Sequence, residues 1–252
     1  MIMGKERYRE QLEGRWRGFN AETFINADPL NIVYLLKKHL SDDNADNMQQ
    51  HLEIGALFVA MIAWGNRKMI KANAMKLMHL MKWRPYNYIL NGEFETFPDD
   101  VCVHRTLFGK SFKQVCRNLQ QVYNQYATQQ EYVLATEIPG SEGGYVEQLA
   151  KITAPAKLGS VTAKSACKRI CMYLRWMVRC DKPDLGLWRQ IDANELFAVL
   201  DVHVVRQAQI YGLVTSKTAS WRAVQQLTNC YRGWCDVDPL KYDMVMMMND
   251  ME

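Results

Sequence analysis

The stretch that decides the fold runs from residue 158 to residue 212 and reads LGSVTAKSACKRICMYLRWMVRCDKPDLGLWRQIDANELFAVLDVHVVRQAQIYG. Its first half spaces apolar residues as one face of a helix does, which predicts a helix from Lys164 to Cys180. Its second half contains the apolar run 197–200, followed directly by Asp201. An Asp ahead of an apolar-periodic segment is typical of a helix N-cap, whose carboxylate accepts hydrogen bonds from free backbone N–H groups.

Four cations share one face of the predicted 164–180 helix. At 100° per residue, Lys164, Arg175 and Arg179 fall within about 40° of Lys168. The opposite face is apolar and includes Ile170. The pattern therefore predicts a helix that buries one side and exposes a cationic stripe, centred on Lys168, on the other.

These residues resemble the helix-hairpin-helix DNA glycosylase superfamily. The run at 200–206, LDVHVVR, is similar to the segment that carries the catalytic Asp there, and Lys168 stands where the hairpin of that superfamily carries its catalytic Lys. The separation of 33 residues (201 − 168) resembles the archaeal 8-oxoguanine glycosylase branch. Closer still is an uncharacterised bacterial branch with four patterns in order: SACKR at 165–169, LRWMVR at 174–179, LDVH at 200–203 and DPLKYD at 238–243.

The resemblance implies a fold and a set of site residues. It implies an all-α, two-lobed glycosylase-like unit over residues 1–252, with roughly 55–200 as a central lobe and the N-terminal ~50 and C-terminal ~45 residues as the second lobe. The DNA groove would lie between the lobes. Lys168 and Asp201 would be catalytic. The implied DNA-binding residues are Lys164, Ser165, Arg169, Arg175, Arg179, Asn66 and Arg67, and the implied base-pocket residues are Trp64 and Asp243.

The chemistry of such a site explains why these residue types are needed. A glycosylase rotates the damaged nucleotide out of the duplex, and positive charge develops on the sugar as the N-glycosidic bond breaks. A fixed carboxylate, here Asp201, stabilises that charge. The Lys168 amine would then attack C1′ and form a Schiff base that permits strand cleavage. The neighbouring cations would favour the neutral amine and bind the flanking phosphates.

The segment from Glu53 to Arg67 contains further residues that the resemblance assigns to DNA contact. Residues 53–64, EIGALFVAMIAW, are apolar almost all round and predict a buried helix, which Gly65 and Asn66 end. The resemblance gives this turn residues that enter DNA beside the extruded base. The alternative is a simple helix–helix corner whose Asn66 adopts a left-handed conformation.

Composition excludes several other classes of protein. The chain has 252 residues, 48% hydrophobic content and a net charge of +4, which is typical of a globular protein and permits a nucleic-acid partner. Because no apolar run approaches ~20 residues and the N-terminus lacks a signal core, we expect a cytoplasmic protein with no membrane partner. The seven Cys have no iron–sulfur or zinc spacing, so no metal and no cofactor is expected. The absence of alternating strand patterns independently predicts an all-α fold.

Three functions remain open from the sequence. The first is a DNA-repair base-excision glycosylase with AP-lyase activity, acting on double-stranded DNA with a damaged base, for which an oxidised purine is one candidate. The second is a non-catalytic DNA-binding or interaction protein that retains the glycosylase fold, in which Lys168 is a solvated helix residue and Asp201 only a cap. The third is a hydrolase of free nucleosides, which would use the Asp without needing the cationic stripe.

Overall fold

The computed structural model describes residues 2–248, and the chain is predominantly helical, which confirms the all-α prediction. One short antiparallel hairpin interrupts the helices within this range. In chain order the elements are α1 (Ile2–Arg17), α2 (Ala21–Ala27), α3 (Leu30–Asp42), α4 (Met48–Ile62), α5 (Arg67–Leu80), α6 (Pro85–Leu90), β1 (Cys102–His104), β2 (Leu107–Phe108), α7 (Gly109–Gln125), α8 (Gln129–Thr136), α9 (Tyr145–Thr153), α10 (Lys168–Val178), α11 (Val202–Ile210), α12 (Trp221–Trp234) and α13 (Lys241–Met248).

The described chain forms two compact units. One consists of residues 2–21 and 159–248, and the other of Glu22–Leu158. We call them the terminal unit and the middle unit. The central lobe predicted at roughly residues 55–200 has other boundaries than the middle unit. Helix α3 packs on α4 and α5, so it belongs to the middle unit, whereas α10 and the segment after it belong to the terminal unit.

Helix α4 is the centre of the middle unit. Every residue from His51 to Ile62 is buried, as the all-round apolar sequence predicts. One charged residue, Glu53, lies within this buried stretch and is fully hydrogen-bonded: its Oε2 accepts from the Tyr123 hydroxyl at 2.8 Å and from the Gln129 backbone N–H at 2.9 Å. Glu53 thereby holds the N-terminus of α8 against α4, which offsets the cost of burying its carboxylate.

The terminal unit is built around α10, whose residues from Ile170 to Val178 are all buried. Helix α1 packs against α13, and Tyr8 and Leu12 of α1 are buried. Among the described residues, no helix is both long enough and apolar enough to cross a membrane.

The predicted helix from Lys164 to Cys180 is wrong at its start. Helix α10 begins at Lys168, because Lys164 and Cys167 both have positive φ angles, 56° and 46°, that a right-handed helix excludes. Residues 159–167 instead form a series of tight turns. Gly159 makes this possible: its φ is 97°, and a Cβ there would lie 2.2 Å from the Ser165 Oγ.

Candidate active site

Lys168 and Asp201, which are remote in sequence, are in direct contact. The Lys168 Nζ lies 2.8 Å from the Asp201 Oδ2, and the side chains are 32% and 23% exposed. Lys168 is the first residue of α10, and Asp201 is the N-cap of α11, so two helix N-termini meet at this pair. The site is therefore partly open to solvent and each of its two groups is fixed by a helix.

Asp201 is held rigidly and remains ionised. Its Oδ1 accepts hydrogen bonds at 3.0 Å from the backbone N–H groups of both His203 and Val204, which leaves Oδ2 for Lys168. Burial by itself raises the pKa of the Asp201 carboxyl, but the Lys168 ammonium and the two amides outweigh burial and lower that pKa below its ordinary value. The predicted N-cap role of Asp201 is confirmed.

The turns that precede α10 present several of the predicted DNA-binding residues. Thr162, Ala163 and Lys164 are exposed, Ser165 is half-buried, and Arg169 is half-buried in the first turn of α10. A backbone pairing fixes these turns, because the Trp221 N–H donates to the Lys164 carbonyl at 3.0 Å and Ser165 pairs with Ser220. Residues 162–164 are therefore the exposed part of a segment that backbone hydrogen bonds fix just ahead of Lys168.

The predicted cationic stripe does not exist, because Arg175 and Arg179 are 1% and 2% exposed. The Arg175 Nε lies 3.3 Å from one oxygen of Asp184, and the Arg179 NH1 lies 3.2 Å from the other. Arg179 also donates to both oxygens of Asp238, at 2.8 to 3.0 Å. These two cations are neutralised by two carboxylates within the fold, so neither is available to a phosphate in this conformation.

Asp243 is buried rather than facing an open pocket, with 1% exposed. Its Oδ2 accepts a hydrogen bond from the Val199 backbone N–H at 2.8 Å, and its Oδ1 is buried with no hydrogen bond among the described residues. Burial raises the pKa of Asp243 to about 7, although Arg175, the Val199 amide and the Tyr231 hydroxyl act in the opposite direction. The carboxyl predicted to contact an extruded base is therefore shielded from solvent and bound to the chain just ahead of Asp201.

The DPLKYD segment connects three parts of the terminal unit. Asp238 binds Arg179 of α10, and Asp243 binds the segment before α11. Lys241 forms an ion pair with Glu13 of α1 at 3.0 Å, and the Tyr242 hydroxyl donates to the same carboxylate. The four sequence patterns that carry the resemblance thus all lie in the terminal unit, and direct ion pairs join them two by two: Lys168 to Asp201, and Arg179 to Asp238.

The remaining predicted site residues, Trp64, Asn66 and Arg67, lie in the middle unit at the connection between α4 and α5. Asn66 is the N-cap of α5 and accepts from the Met69 N–H at 3.2 Å. Its φ of −72° is ordinary, and Gly65 has the left-handed conformation, with φ 99°. The alternative that placed Asn66 in a left-handed turn is therefore wrong, and both Asn66 and Arg67 are exposed.

Sequence reasoning missed Arg105 at this connection. Its guanidinium carbon lies 4.0 Å from the centre of the Trp64 ring, and a Cβ on Gly65 would meet its NH1 at 2.4 Å. Arg105 is exposed at the turn between β1 and β2 and itself has a positive φ of 52°. A strand of three residues is too short to show a periodic pattern in the sequence. Only Gly65 and Arg105 themselves could have indicated this contact. We call Trp64, Asn66, Arg67 and Arg105 the Trp64 corner.

Comparison with known proteins gives one family. The model of the family described as "Protein of unknown function (DUF2400)" matches residues 40–252. No curated protein matches the chain. No solved structure matches it either.

Proposed function

The chain belongs to the DUF2400 family of proteins of unknown function, and we propose that it is a DNA-repair base-excision glycosylase with AP-lyase activity on a helix-hairpin-helix glycosylase-like fold. One observation carries the proposal: an amine and a carboxylate 2.8 Å apart, each at a helix N-terminus and each partly exposed. The resemblance of residues 165–169 and 200–206 to the catalytic segments of that superfamily supports the same assignment.

Asp201 stabilises the positive charge that develops on the deoxyribose as the bond from C1′ to the base breaks. Its orientation is fixed before substrate binds, since two backbone amides hold Oδ1 and leave Oδ2 directed at Lys168. A preorganised charge of this kind lowers the barrier because no reorganisation is needed in the transition state. The lowered pKa keeps the carboxylate charged throughout the neutral range.

Lys168 is the nucleophile. Its Nζ loses one proton to solvent and, as the neutral amine, forms a bond to C1′, while the base leaves with the electron pair of the N-glycosidic bond and takes up a proton from water, so that Asp201 stays ionised. Ring opening then gives a Schiff base between Nζ and C1′. Loss of a C2′ proton expels the 3′ phosphate and breaks the strand, and water hydrolyses the Schiff base to release the amine.

The DNA backbone is bound by polar and basic residues of both units. Lys164, Ser165 and Arg169 supply donors beside Lys168, at the positive end of the α10 dipole. Asn66 and Arg67 supply a second set in the middle unit, where Trp64 is assigned to the base pocket. Arg175 and Arg179 are left out of this set, because Asp184 and Asp238 already bind them.

Borohydride trapping tests the proposal. The protein is mixed with duplexes that each carry one lesion, including oxidised purines and a preformed abasic site, and the covalent adduct is reduced and resolved by mass. We expect an adduct with wild type, none with Lys168→Ala, and base release slowed about 100- to 1,000-fold in Asp201→Asn. Lys217→Ala is the matched control, since Lys217 is an exposed Lys of the same unit outside the site. An adduct that persists in Lys168→Ala contradicts the assignment.

A non-catalytic DNA-binding protein is the second candidate function. The observation that favours it is the neutralisation of Arg175 and Arg179, which removes two of the four cations expected beside Lys168. In that case the Lys168–Asp201 pair is a structural cap. Salt-dependent binding to undamaged duplex, together with no adduct on any lesion, supports this candidate.

A further inference from the structure

The chain that leads into Asp201 is buried but has no secondary structure. Leu196, Ala198, Val199 and Leu200 are at most 1% exposed, and none lies in a helix or strand. Buried backbone N–H groups need acceptors, and an extended segment cannot supply its own. Here two side chains supply them: Thr228 Oγ1 accepts from the Ala198 N–H at 3.0 Å, and Asp243 Oδ2 accepts from the Val199 N–H at 2.8 Å.

Asp243 is an unusual acceptor for this task. A backbone N–H can be satisfied by a neutral oxygen, as Thr228 does for Ala198, yet Asp243 is a carboxyl group with 1% of its surface exposed. Above about pH 7, where Asp243 is ionised, it is about twice as strong an acceptor as a neutral group. The titratable and charged groups that act on it are Arg175 and Cys171 of α10, Asp184 after α10, and Tyr231 of α12.

We propose that Asp243 is a positioning residue for the candidate active site, which fixes the Val199 backbone and so sets the place of the Asp201 carboxylate opposite the Lys168 amine. Val199 precedes Asp201 by two residues, a span of about 7 Å of extended chain. A displacement of the Val199 backbone therefore moves the N-cap residue Asp201 as well, because the chain between them is too short to absorb it. This inference rests on the proposed function for its effect on rate, whereas its effect on geometry is independent of any activity.

The rate of the proposed reaction depends strongly on the positions of the reacting groups. A misplacement of about 1 Å in a reacting group costs about 100-fold in rate. The hydrogen bonds that direct Oδ2 at Lys168 come from His203 and Val204, and these residues move with α11 rather than with Val199. Release of Val199 therefore leaves the cap intact and shifts the whole N-terminus of α11 relative to α10.

Two variants of similar size separate positioning from packing. Asp243→Asn keeps an oxygen acceptor, and Asp243→Leu fills the volume without one. We expect three effects of Asp243→Leu. Hydrogen exchange at the Val199 amide becomes faster, and the pKa of the Asp201 carboxyl, measured by carbon NMR, returns toward its ordinary value. Base release slows about 10- to 100-fold. Asp243→Asn should resemble wild type in all three measurements. The proposal is overturned if Asp243→Leu leaves the Asp201 titration unchanged.

Thr228→Val is the matched control, because it removes the acceptor of the adjacent amide in the same buried segment. It should destabilise the fold while leaving the Asp201 titration close to that of wild type. An equal displacement of the Asp201 titration in Thr228→Val and Asp243→Leu overturns a specific role for Asp243. If wild type forms no adduct with any lesion, the proposed function fails, and the two NMR measurements still decide the role of Asp243.

A measurement on wild type covers the case in which Asp243→Leu does not fold. Asp243 titrates near pH 7, so the amide signal of Val199 should shift with that midpoint, and the amides of His203 and Val204 should follow it. Both shifts should disappear in Asp243→Asn. If the Val199 signal titrates while the His203 and Val204 signals do not, Asp243 does not act on Asp201 and the proposal is overturned.

Discussion

At the scale of single residues, two Asp side chains in the terminal unit have opposite titration behaviour for identifiable reasons. Asp201 has a cation and two amide donors, which together outweigh its burial and lower its pKa. Asp243 is more deeply buried, with one amide donor and a second oxygen that no described residue satisfies, and its pKa is raised to about 7. The sequence predicts the cap at Asp201 from local order alone. It cannot predict the burial of Asp243, which depends on packing between remote segments.

The raised pKa of Asp243 makes a prediction about stability. In the folded protein Asp243 keeps its proton up to about pH 7, whereas in the unfolded chain it loses it near 3.8. The folded state therefore binds more protons between these values, so the contribution of Asp243 to the free energy of unfolding is fully present below pH 3.8 and falls as pH rises toward 7. Asp243→Asn lacks this decline, and its stability relative to wild type should increase steadily from pH 5 to pH 7 and then level off.

Urea unfolding at pH 5, 6, 7 and 8 measures this difference. Asp201→Asn is the contrasting variant, because a depressed pKa places the stability contributed by Asp201 above pH 3.8 and its loss at lower pH. Its difference from wild type should stay constant over the same range. Parallel stability curves for Asp243→Asn and wild type would mean that Asp243 is ionised in the folded protein at all four pH values.

At the scale of elements, periodicity predicted the bodies of the helices better than their ends. The helix predicted at 53–64 overlaps most of α4, which begins earlier, at Met48, whereas periodicity started α10 four residues early, because the positive φ angles of Lys164 and Cys167 leave no trace in a hydrophobic pattern. The same pattern assigned Arg175 and Arg179 to an exposed face. Both are buried, since they are neutralised by the carboxylates of Asp184, in the loop after α10, and of Asp238, 59 residues from Arg179 in sequence. A sequence pattern cannot reveal such partners.

The Arg175–Arg179 pair makes a prediction about how α10 is held. Asp184 is fully buried and binds both guanidinium groups, whereas Asp238 is 21% exposed and binds Arg179 alone. Asp184→Asn therefore removes one of the two negative charges that neutralise the buried Arg175 and Arg179. We expect it to lower the free energy of unfolding by about 3 to 5 kcal/mol. Asp238→Asn, the matched control, should cost about 1 to 3 kcal/mol, because Arg179 retains Asp184. Chemical denaturation measures both, and equal costs would contradict the shared role of Asp184.

At the scale of the whole molecule, the composition gave little information about DNA binding, since the net charge of +4 does not say which cations are accessible. The fold removes Arg175 and Arg179 from the accessible set and adds Arg105, which stacks on Trp64 in the middle unit. The sequence could not predict either change. One depends on buried carboxylates, and the other on the short hairpin formed by β1 and β2, which brings Arg105 across Gly65.

The accessible cations predict a modest salt dependence of DNA binding. Arg67 and Arg105, the exposed cations of the Trp64 corner, allow about two phosphate contacts, and each contact contributes about −0.9 to the slope of log K against log salt, so we expect the corner to contribute about −2 to the slope for duplex DNA. Arg105→Ala should make this slope less negative by about 1, because it removes one contact. Lys76→Ala is the matched control, an exposed cation on α5 about 13 Å along the helix from Arg67. Fluorescence anisotropy between 50 and 200 mM salt measures the slope. Equal slopes for Arg105→Ala and wild type would exclude the Trp64 corner from the DNA-binding surface and leave Lys164 and Arg169 as its cations.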